Sequence, residues 1–320
     1  MSRSRIVIAG GTGFIGKFLL NAWSSRHDII VLTRQQKKYR TQGSVRYVSW
    51  DPQRDGDWMQ AIDGADLLIN LTGKSVNCRY TEKNREAILQ SRIQATAALG
   101  RAIKQAAIPP ACWINASSAT IYRHAEDHAQ DEYTGETGHD FSMDVCHAWE
   151  RCFFEQDTAL TRKVALRIGI TLGAGSALDT LLRLAKAGLG GRQGSGRQKV
   201  TWIHYLDLVG IMYWIWKHPK MEGIFNCCSP NAVSNNHFMQ TLRKAAGIPF
   251  GIPMPEPFIR MGALLIGTSP ELVLKSRWVV PTRLLQSGFV FRYPQLQQAL
   301  EDIIDTMPLQ QNRDMGCYIN

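Results

Sequence analysis

The sequence predicts an α/β protein, a doubly wound parallel sheet followed by a smaller C-terminal domain on the substrate side. Three observations predict it. Residues 10–16 read "GGTGFIG", which sets Gly10, Gly13 and Gly16 between an apolar run and a helix-like run. Strand-like and helix-like segments then alternate through the first half of the chain, the pattern of βαβ units with right-handed crossovers. A proline-rich stretch, "PFGIPMPEP" (249–257), reads as a linker into a C-terminal segment.

Arg5–Ala9 is β-branched and apolar, which suits a buried parallel strand. Phe14, Phe18, Leu19 and Trp23 recur at helical spacing after it. "IIVLTR" (29–34) and "VRYVSW" (45–50) read as the second and third strands, and residues 66–71 as the fourth, after a short helix. Residues 81–106 form a long amphipathic helix whose start is open, because Thr81, Asn84 and Arg85 lack the full capping box. "ACWINASS" (111–118) is a fifth strand and "VALRIGITLG" (164–173) a sixth. Further on lie an apolar helix at 258–267 and "RLLQSGFVFRY", a helix ending at Gly288 before a short strand. The expected units are 1–172 with later returns near 200–228, then 173–305, and a disordered tail at 306–320.

A strand, a glycine turn and a helix N-terminus make an anion site of the Rossmann kind. The glycines allow close backbone approach, and first-turn N–H groups point at a pyrophosphate. Gly10, Gly11, Thr12, Gly13, Phe14, Ile15 and Gly16 are the expected loop. The spacing alone also fits a mere tight turn; the alternating elements around it decide against that. The end of the second strand selects the cofactor. An NAD-binding fold places Asp or Glu there for the ribose 2′-OH, whereas this chain has Thr33-Arg34 followed by Lys37 and Lys38. An arginine can grip a 2′-phosphate bidentately where a carboxylate would repel it, so NADP(H) is expected.

Composition bounds the remaining classes. The 320 residues are 44% hydrophobic and 20% charged, near globular averages. No apolar run reaches the roughly 18–20 residues of a membrane span, and the N-terminus shows no signal-peptide pattern. Seven scattered cysteines without a CxxC pair fit reduced thiols in a cytoplasmic protein and argue against a zinc site or disulfide framework. The net charge of +10 raises nucleic acid as a partner, but the basic residues are dispersed and no recognition motif accompanies them. A solvated basic surface is preferred; no metal is expected, and the oligomeric state is open.

These features resemble the extended short-chain dehydrogenase/reductase superfamily. A closer resemblance rests on "LINLTGKSVNCRYTEKNREAILQSR" (68–92), "VCHAWE" (145–150), "GLGGRQGSGRQKVTWIHYLDL" (188–208), "GIFNCCSPNAVSNNHF" (223–238) and residues 279–303. It is to a subfamily of NAD-dependent epimerase/dehydratase-like proteins with a distinctive C-terminal domain of unassigned role. The resemblance implies that Leu71 and Thr72 line the cofactor's path, that Arg92 approaches the cofactor side of the cleft, and that Thr171 lies near the nicotinamide. It implies that Arg197, Gln198 and Trp202 face a small-molecule substrate, with Arg192 and Arg197 suited to an anionic one.

The departure is in the catalytic machinery. The superfamily uses a Tyr-x-x-x-Lys pair, whose lysine lowers the tyrosine pKa, and a nearby serine. Ser117 or Ser118 supplies the serine element. Aligning Glu150 with the glutamate after the usual lysine puts Ser142 and Cys146 at the pair's positions. Neither does that job, so replacing both by alanine is expected to leave any activity nearly unchanged. Tyr122 and His204 are the leading substitutes, with Tyr205, Asp131 and Glu132 behind them. Three readings stay open: a reductase or epimerase with another acid, a non-catalytic NADP(H)-binding sensor or scaffold, and a nucleic-acid-associated regulator that no motif supports.

Overall fold

The computed structural model describes residues 3–266 and 269–315. The strands are β1 (Arg5–Ala9), β2 (Asp28–Thr33), β3 (Val45–Ser49), β4 (Leu67–Asn70), β5 (Cys112–Ser118), β6 (Arg162–Ile168), β7 (Ile170–Leu172), β8 (Lys199–Val200), β9 (Trp202–His204), β10 (Gly223–Cys227) and β11 (Val233–Ser234). Seven of them form one parallel sheet in the order β10-β6-β5-β4-β1-β2-β3. The order reverses beside β1, and in such a sheet that crevice, outside the strands' carboxyl ends, receives the ligand.

β1 shows why the sheet is buried on both faces. Its side chains alternate, so Ile6 and Ile8 join one core with Leu19, Trp23, Ile211 and Ile215. Val7 and Ala9 join another with Leu99, Ile103, Trp113 and Phe153. The helices that supply those faces are α1 (Phe14–Trp23), α2 (Glu82–Gln105), α3 (Phe141–Phe154) and α5 (Tyr205–Lys217), while α4 (Ala177–Leu184) buries Leu178 and Leu182 in a separate core. The uncertain start of α2 resolves at Thr81, whose side chain accepts from Asn84 N–H without a capping-box partner.

The sixth strand, expected across 164–173, breaks at Gly169. There Gly169 N–H bonds Cys227 O at 3.0 Å. Residues 170–172 leave the sheet and pair in parallel with β9.

The rest of the chain adds α6 (Asn235–Ala245), α7 (Glu256–Ile266), α8 (Glu271–Leu274), α9 (Thr282–Gln286) and α10 (Leu296–Met315). A third core joins Trp202, Phe238, Leu242, Leu300 and Ile303. Two expectations need correction here. Residues 249–257 are no free linker: Gly191 N–H bonds Ile252 O at 3.2 Å and Gly194 N–H bonds Met254 O at 2.8 Å, so backbone hydrogen bonds pin them. The short strand after Gly288 does not form, because the Asp207 carboxylate takes the N–H groups of Arg292 and Tyr293 at 2.7 and 2.9 Å. α10 extends to Met315, within the tail expected at 306–320; 316–320 lie outside the described residues, as do 267–268, the first of which ends the expected helix 258–267. Among the described residues no helix is long and apolar enough to cross a membrane.

Candidate functional site

The turn after β1 assigns each glycine a separate task. Gly10 has φ +78°, and a Cβ there would lie 3.0 Å from the Leu71 backbone, so only glycine makes this turn. A Cβ on Gly16 would sit 2.2 Å from Gly11 O, so its absence lets α1 pack on the loop. Gly13 differs: its φ is −78°, open to any residue, and the nearest atom to an added Cβ is Gly10 O at 3.3 Å. Gly13 therefore serves no unusual backbone, and an added Cβ would meet one tight contact, at Gly10 O. It is also the N-cap of α1, with no capping side chain and no acid in the first turn. The helix's first N–H groups, at Phe14 and Ile15, are left to meet an anion.

A groove of about 740 Å³ runs from this turn along the sheet's carboxyl edge, lined by Gly10, Thr12, Gly13, Thr33, Arg34, Leu71, Thr72 and Lys74, among others. Arg34 is exposed at its outer end, while Thr33 is buried and its Oγ1 accepts from Gln35 N–H at 3.3 Å. Asp51 shares this wall, its Oδ1 accepting from Gln53 N–H at 3.0 Å. Behind Thr72 lies a buried amide ladder. Asn70 donates to Asn115 Oδ1 at 2.7 Å and to Thr96 Oγ1 at 3.2 Å, while its own Oδ1 accepts from Thr72 N–H at 3.1 Å. A polar residue inside an otherwise apolar strand is the sequence signal for that ladder. Arg92 acts one layer back, under the groove. Its guanidinium donates to Lys74 O and Ile88 O, at 3.2 and 2.9 Å, and covers the Trp149 ring, so it props the 73–74 loop.

The catalytic candidates fare differently from the cofactor loop. Ser117 is buried and donates to Glu150 Oε1 at 2.6 Å. Glu150 in turn holds Arg167 through both oxygens, at 2.9 and 2.8 Å. Burial works against the Arg167 charge, and the Glu150 carboxylate more than offsets it. Tyr122 is fully buried; its hydroxyl accepts from Arg167 at 2.8 Å and is within 3.0 Å of Asn226 Oδ1 and 2.9 Å of Asp131 O. Burial holds that phenol above its usual range. Ser117 and Tyr122 are thus core residues of one ion-pair network.

His204 is also fully buried. Its Nδ1 caps α5 by accepting from Leu206 N–H at 3.2 Å, and its Nε2 lies 3.2 Å from Asp302 Oδ2. Burial pushes its pKa down despite that carboxylate, so the ring is a neutral cap. Asp131 and Glu132 spend their carboxylates on backbone N–H groups of 133, 134, 226 and 283. Tyr205 stacks on Phe18 at 4.1 Å. Of the four leading candidates Ser118 stays half-buried at the carboxyl end of β5, where its hydroxyl caps the turn at Thr120. Thr171 is half-buried in β7, beyond the same edge.

The expected substrate loop is mostly internal. Gln198 is buried and donates to Gln193 O at 2.8 Å and Val273 O at 3.3 Å; Trp202 is fully buried and donates to Asn231 O at 3.0 Å. Both are corrections: neither offers a surface to a ligand. Arg197 is 81% exposed and only 3.7 Å from Glu126, so its charge faces solvent. Arg192 donates to Ser195 O within its own loop.

Beside α3 the structure joins Ser142 to side chains that motif reading passed over. Ser142 Oγ donates to Glu271 Oε1 at 2.5 Å and lies 3.5 Å from Tyr80 Oη. Lys275 Nζ reaches Asp140 and is 3.6 Å from Glu271 Oε2. Glu271 and Lys275 lie almost two hundred residues from Tyr80, and no local spacing links them. Cys146, one turn along α3, is buried and pushed up to about 12 by desolvation, so it is an inert thiol.

Comparison with known proteins gives matches over nearly the whole chain. Residues 6–228 match the model of the NAD dependent epimerase/dehydratase family, and residues 254–303 match a domain of unknown function, DUF1731. An epimerase family protein of Staphylococcus haemolyticus, SH2119, is 33% identical over 94% of this chain and 99% of its own. The crystal structure of human epimerase family protein SDR39U1 (isoform 2) with NADPH is similar at a TM-score of 0.84 and 29% identity, covering 94% of this chain and 99% of that one. A nucleoside-diphosphate sugar epimerase from Corynebacterium glutamicum is similar at a TM-score of 0.73 and 26% identity, covering all of this chain and 63% of that one.

Proposed function

The chain belongs to the NAD-dependent epimerase/dehydratase family, and from that premise we propose that it binds NADP(H) and acts as an oxidoreductase or epimerase on a small carbonyl or hydroxyl substrate. The observation that carries the reading is one groove holding both an uncapped helix N-terminus over the open face of Gly13 and the exposed Arg34 at the end of β2. The groove fits a dinucleotide by its donors. Phe14 and Ile15 N–H groups would meet the pyrophosphate and Arg34 the 2′-phosphate, with the nicotinamide directed toward Ser118 and Thr171. Bound there, the nicotinamide supplies or takes up a hydride. The protein's part is to orient the ring and to move a proton at the substrate oxygen. The NADPH in the human relative's structure supports the choice of cofactor.

Arg34→Ala is expected to weaken NADPH binding by about tenfold to a hundredfold, from the loss of roughly 1.5–3 kcal/mol of charge-assisted bonding. NADH affinity should hardly change, since NADH lacks the phosphate. Calorimetric titration of both nucleotides decides it, and equal losses for both would remove the assignment.

A second reading, a non-catalytic NADP(H)-binding sensor or scaffold, is favoured by the burial of Ser117, Tyr122 and His204 in the fold. The two readings separate in a thermal-shift screen of carbonyls, hydroxy acids and nucleotide sugars at saturating NADPH. A hit that stabilises the wild type supports catalysis, and Arg197→Ala tests whether that exposed arginine orients an anionic group. The absence of any hit, together with a partner recovered by the wild type and lost by Arg197→Ala, supports the sensor.

A further inference from the structure

We propose that the C-terminal segment supplies this protein's proton relay: Tyr80 is the group that exchanges a proton with the substrate, and Ser142, Glu271 and Lys275 connect it to solvent. The inference rests on the NADP(H)-dependent reading above and adds its acid–base residue. It also assigns a role to the region of unknown function, since Glu271 and Lys275 lie within residues 254–303.

The geometry is a row of exchangeable groups whose last step, Glu271 to Lys275, is an ion-pair contact rather than a hydrogen bond. Tyr80 Oη is 3.5 Å from Ser142 Oγ, Ser142 Oγ is 2.5 Å from Glu271 Oε1, and Glu271 Oε2 is 3.6 Å from Lys275 Nζ. Lys275 and Asp140 are each about a quarter exposed, so the far end meets water. At the near end, Tyr80 closes the 71–80 loop, whose residues Leu71, Thr72, Gly73, Lys74 and Ser75 line the nucleotide groove. Two edges hold it in place: its ring meets Phe141 at 4.9 Å, and Arg85 donates to its carbonyl at 3.2 Å. Ser142 stands where sequence alignment places the family's missing tyrosine. Its bond to Glu271 reverses the expectation that it can be removed at no cost.

The charges around the chain suit proton movement near neutrality. Burial holds the Tyr80 phenol above its usual range, the Ser142 hydrogen bond and the Arg92 charge oppose that, and the Glu271 charge adds to it. Lys275 is pushed down to about 8 by burial, with Arg277 adding to the effect, while the Asp140 and Glu271 carboxylates beside it favour its charged form. In the reductive direction the carbonyl carbon gains the hydride that a bound dihydronicotinamide supplies. The C=O π pair takes the Tyr80 Oη proton, so one C–H and one O–H bond form. The phenolate recovers a proton from Ser142 Oγ, Ser142 recovers one from Lys275 by way of Glu271, and Lys275 is recharged by solvent. The oxidative direction runs each transfer backwards.

Titration of the phenol by ultraviolet difference absorbance tests the relay without any substrate, the Tyr80 signal being what Tyr80→Phe removes. In the nucleotide-free protein, Glu271→Gln should lower the Tyr80 midpoint, because a charge that raises it is gone. Ser142→Ala should raise it, because a hydrogen bond that lowers it is gone. If neither variant moves the midpoint, the groups are not coupled and the relay is wrong. With nucleotide, the midpoint should be lower with NADP⁺ than with NADPH, since a positive ring facing the phenol favours phenolate. An equal midpoint with both would place Tyr80 away from the ring and overturn its role.

Turnover gives the last arm. Reduction of 9,10-phenanthrenequinone, a small dicarbonyl probe, should fall about 10²–10⁴-fold in Tyr80→Phe with NADPH affinity unchanged. A wild type that binds NADPH and leaves the quinone intact would also overturn the catalytic role. A protein that fails to bind NADPH would instead remove the cofactor reading, while the nucleotide-free titration still decides whether the relay exists.

Discussion

Replacing Gly13 by valine should abolish NADPH binding in a protein that still folds. The backbone there has φ −78°, a region valine adopts, and its Cβ would press on Gly10 O at 3.3 Å, which the turn accepts by shifting a few tenths of an ångström. The branched side chain would instead fill the space over the N-terminus of α1, where a pyrophosphate must come within hydrogen-bond range of the first-turn N–H groups. Gly16→Ala makes the informative contrast. Its Cβ would overlap Gly11 O at 2.2 Å, so it should lower the melting temperature as well as the affinity. Thermal melts and calorimetry on both variants separate the two roles. Gly13→Val binding NADPH at wild-type strength would reduce the loop to a turn.

The second large effect lies in the core. Glu150→Ala should destabilise the fold by about 3–5 kcal/mol, because it strands the buried Arg167 guanidinium and leaves Ser117 without its acceptor. Tyr122→Phe should cost about 1–3 kcal/mol, removing one hydroxyl on which Arg167, Asn226 and the Asp131 carbonyl converge. Urea denaturation reads both. A Glu150→Ala protein with unchanged midpoint would mean that the ion pair is not formed in solution. Together the two variants measure how much the fold draws from the network that holds Ser117 and Tyr122.

What was legible in the sequence was what local pattern controls. Strand–turn–helix spacing located the groove, because the three glycines and the apolar periods of β1 and α1 act within a span of some twenty residues. Arg34 was readable for the same reason: it follows a strand whose end is marked by composition. Burial was not readable for Tyr122, His204, Gln198 and Trp202, since polar atoms in each can be hidden once a distant partner is supplied. Tyr122 is satisfied by Arg167 and Asn226, and His204 faces Asp302 almost a hundred residues away. The Tyr80–Ser142–Glu271 contact is equally non-local, joining a loop after β4, the start of α3 and the segment 271–275. Asp207 shows the same limit for secondary structure: its carboxylate takes two N–H groups that a strand after Gly288 would have used.

The central claim is that this groove is an NADP(H) site oriented by Gly13 and Arg34. A crystal structure of the protein grown with NADPH tests it most directly. The account predicts the pyrophosphate against Phe14 and Ile15 N–H, the 2′-phosphate on the Arg34 guanidinium, and the nicotinamide over the Ser118–Thr171 end of the sheet. A nucleotide bound elsewhere, or one in this groove whose 2′-phosphate leaves Arg34 in solvent, would contradict it.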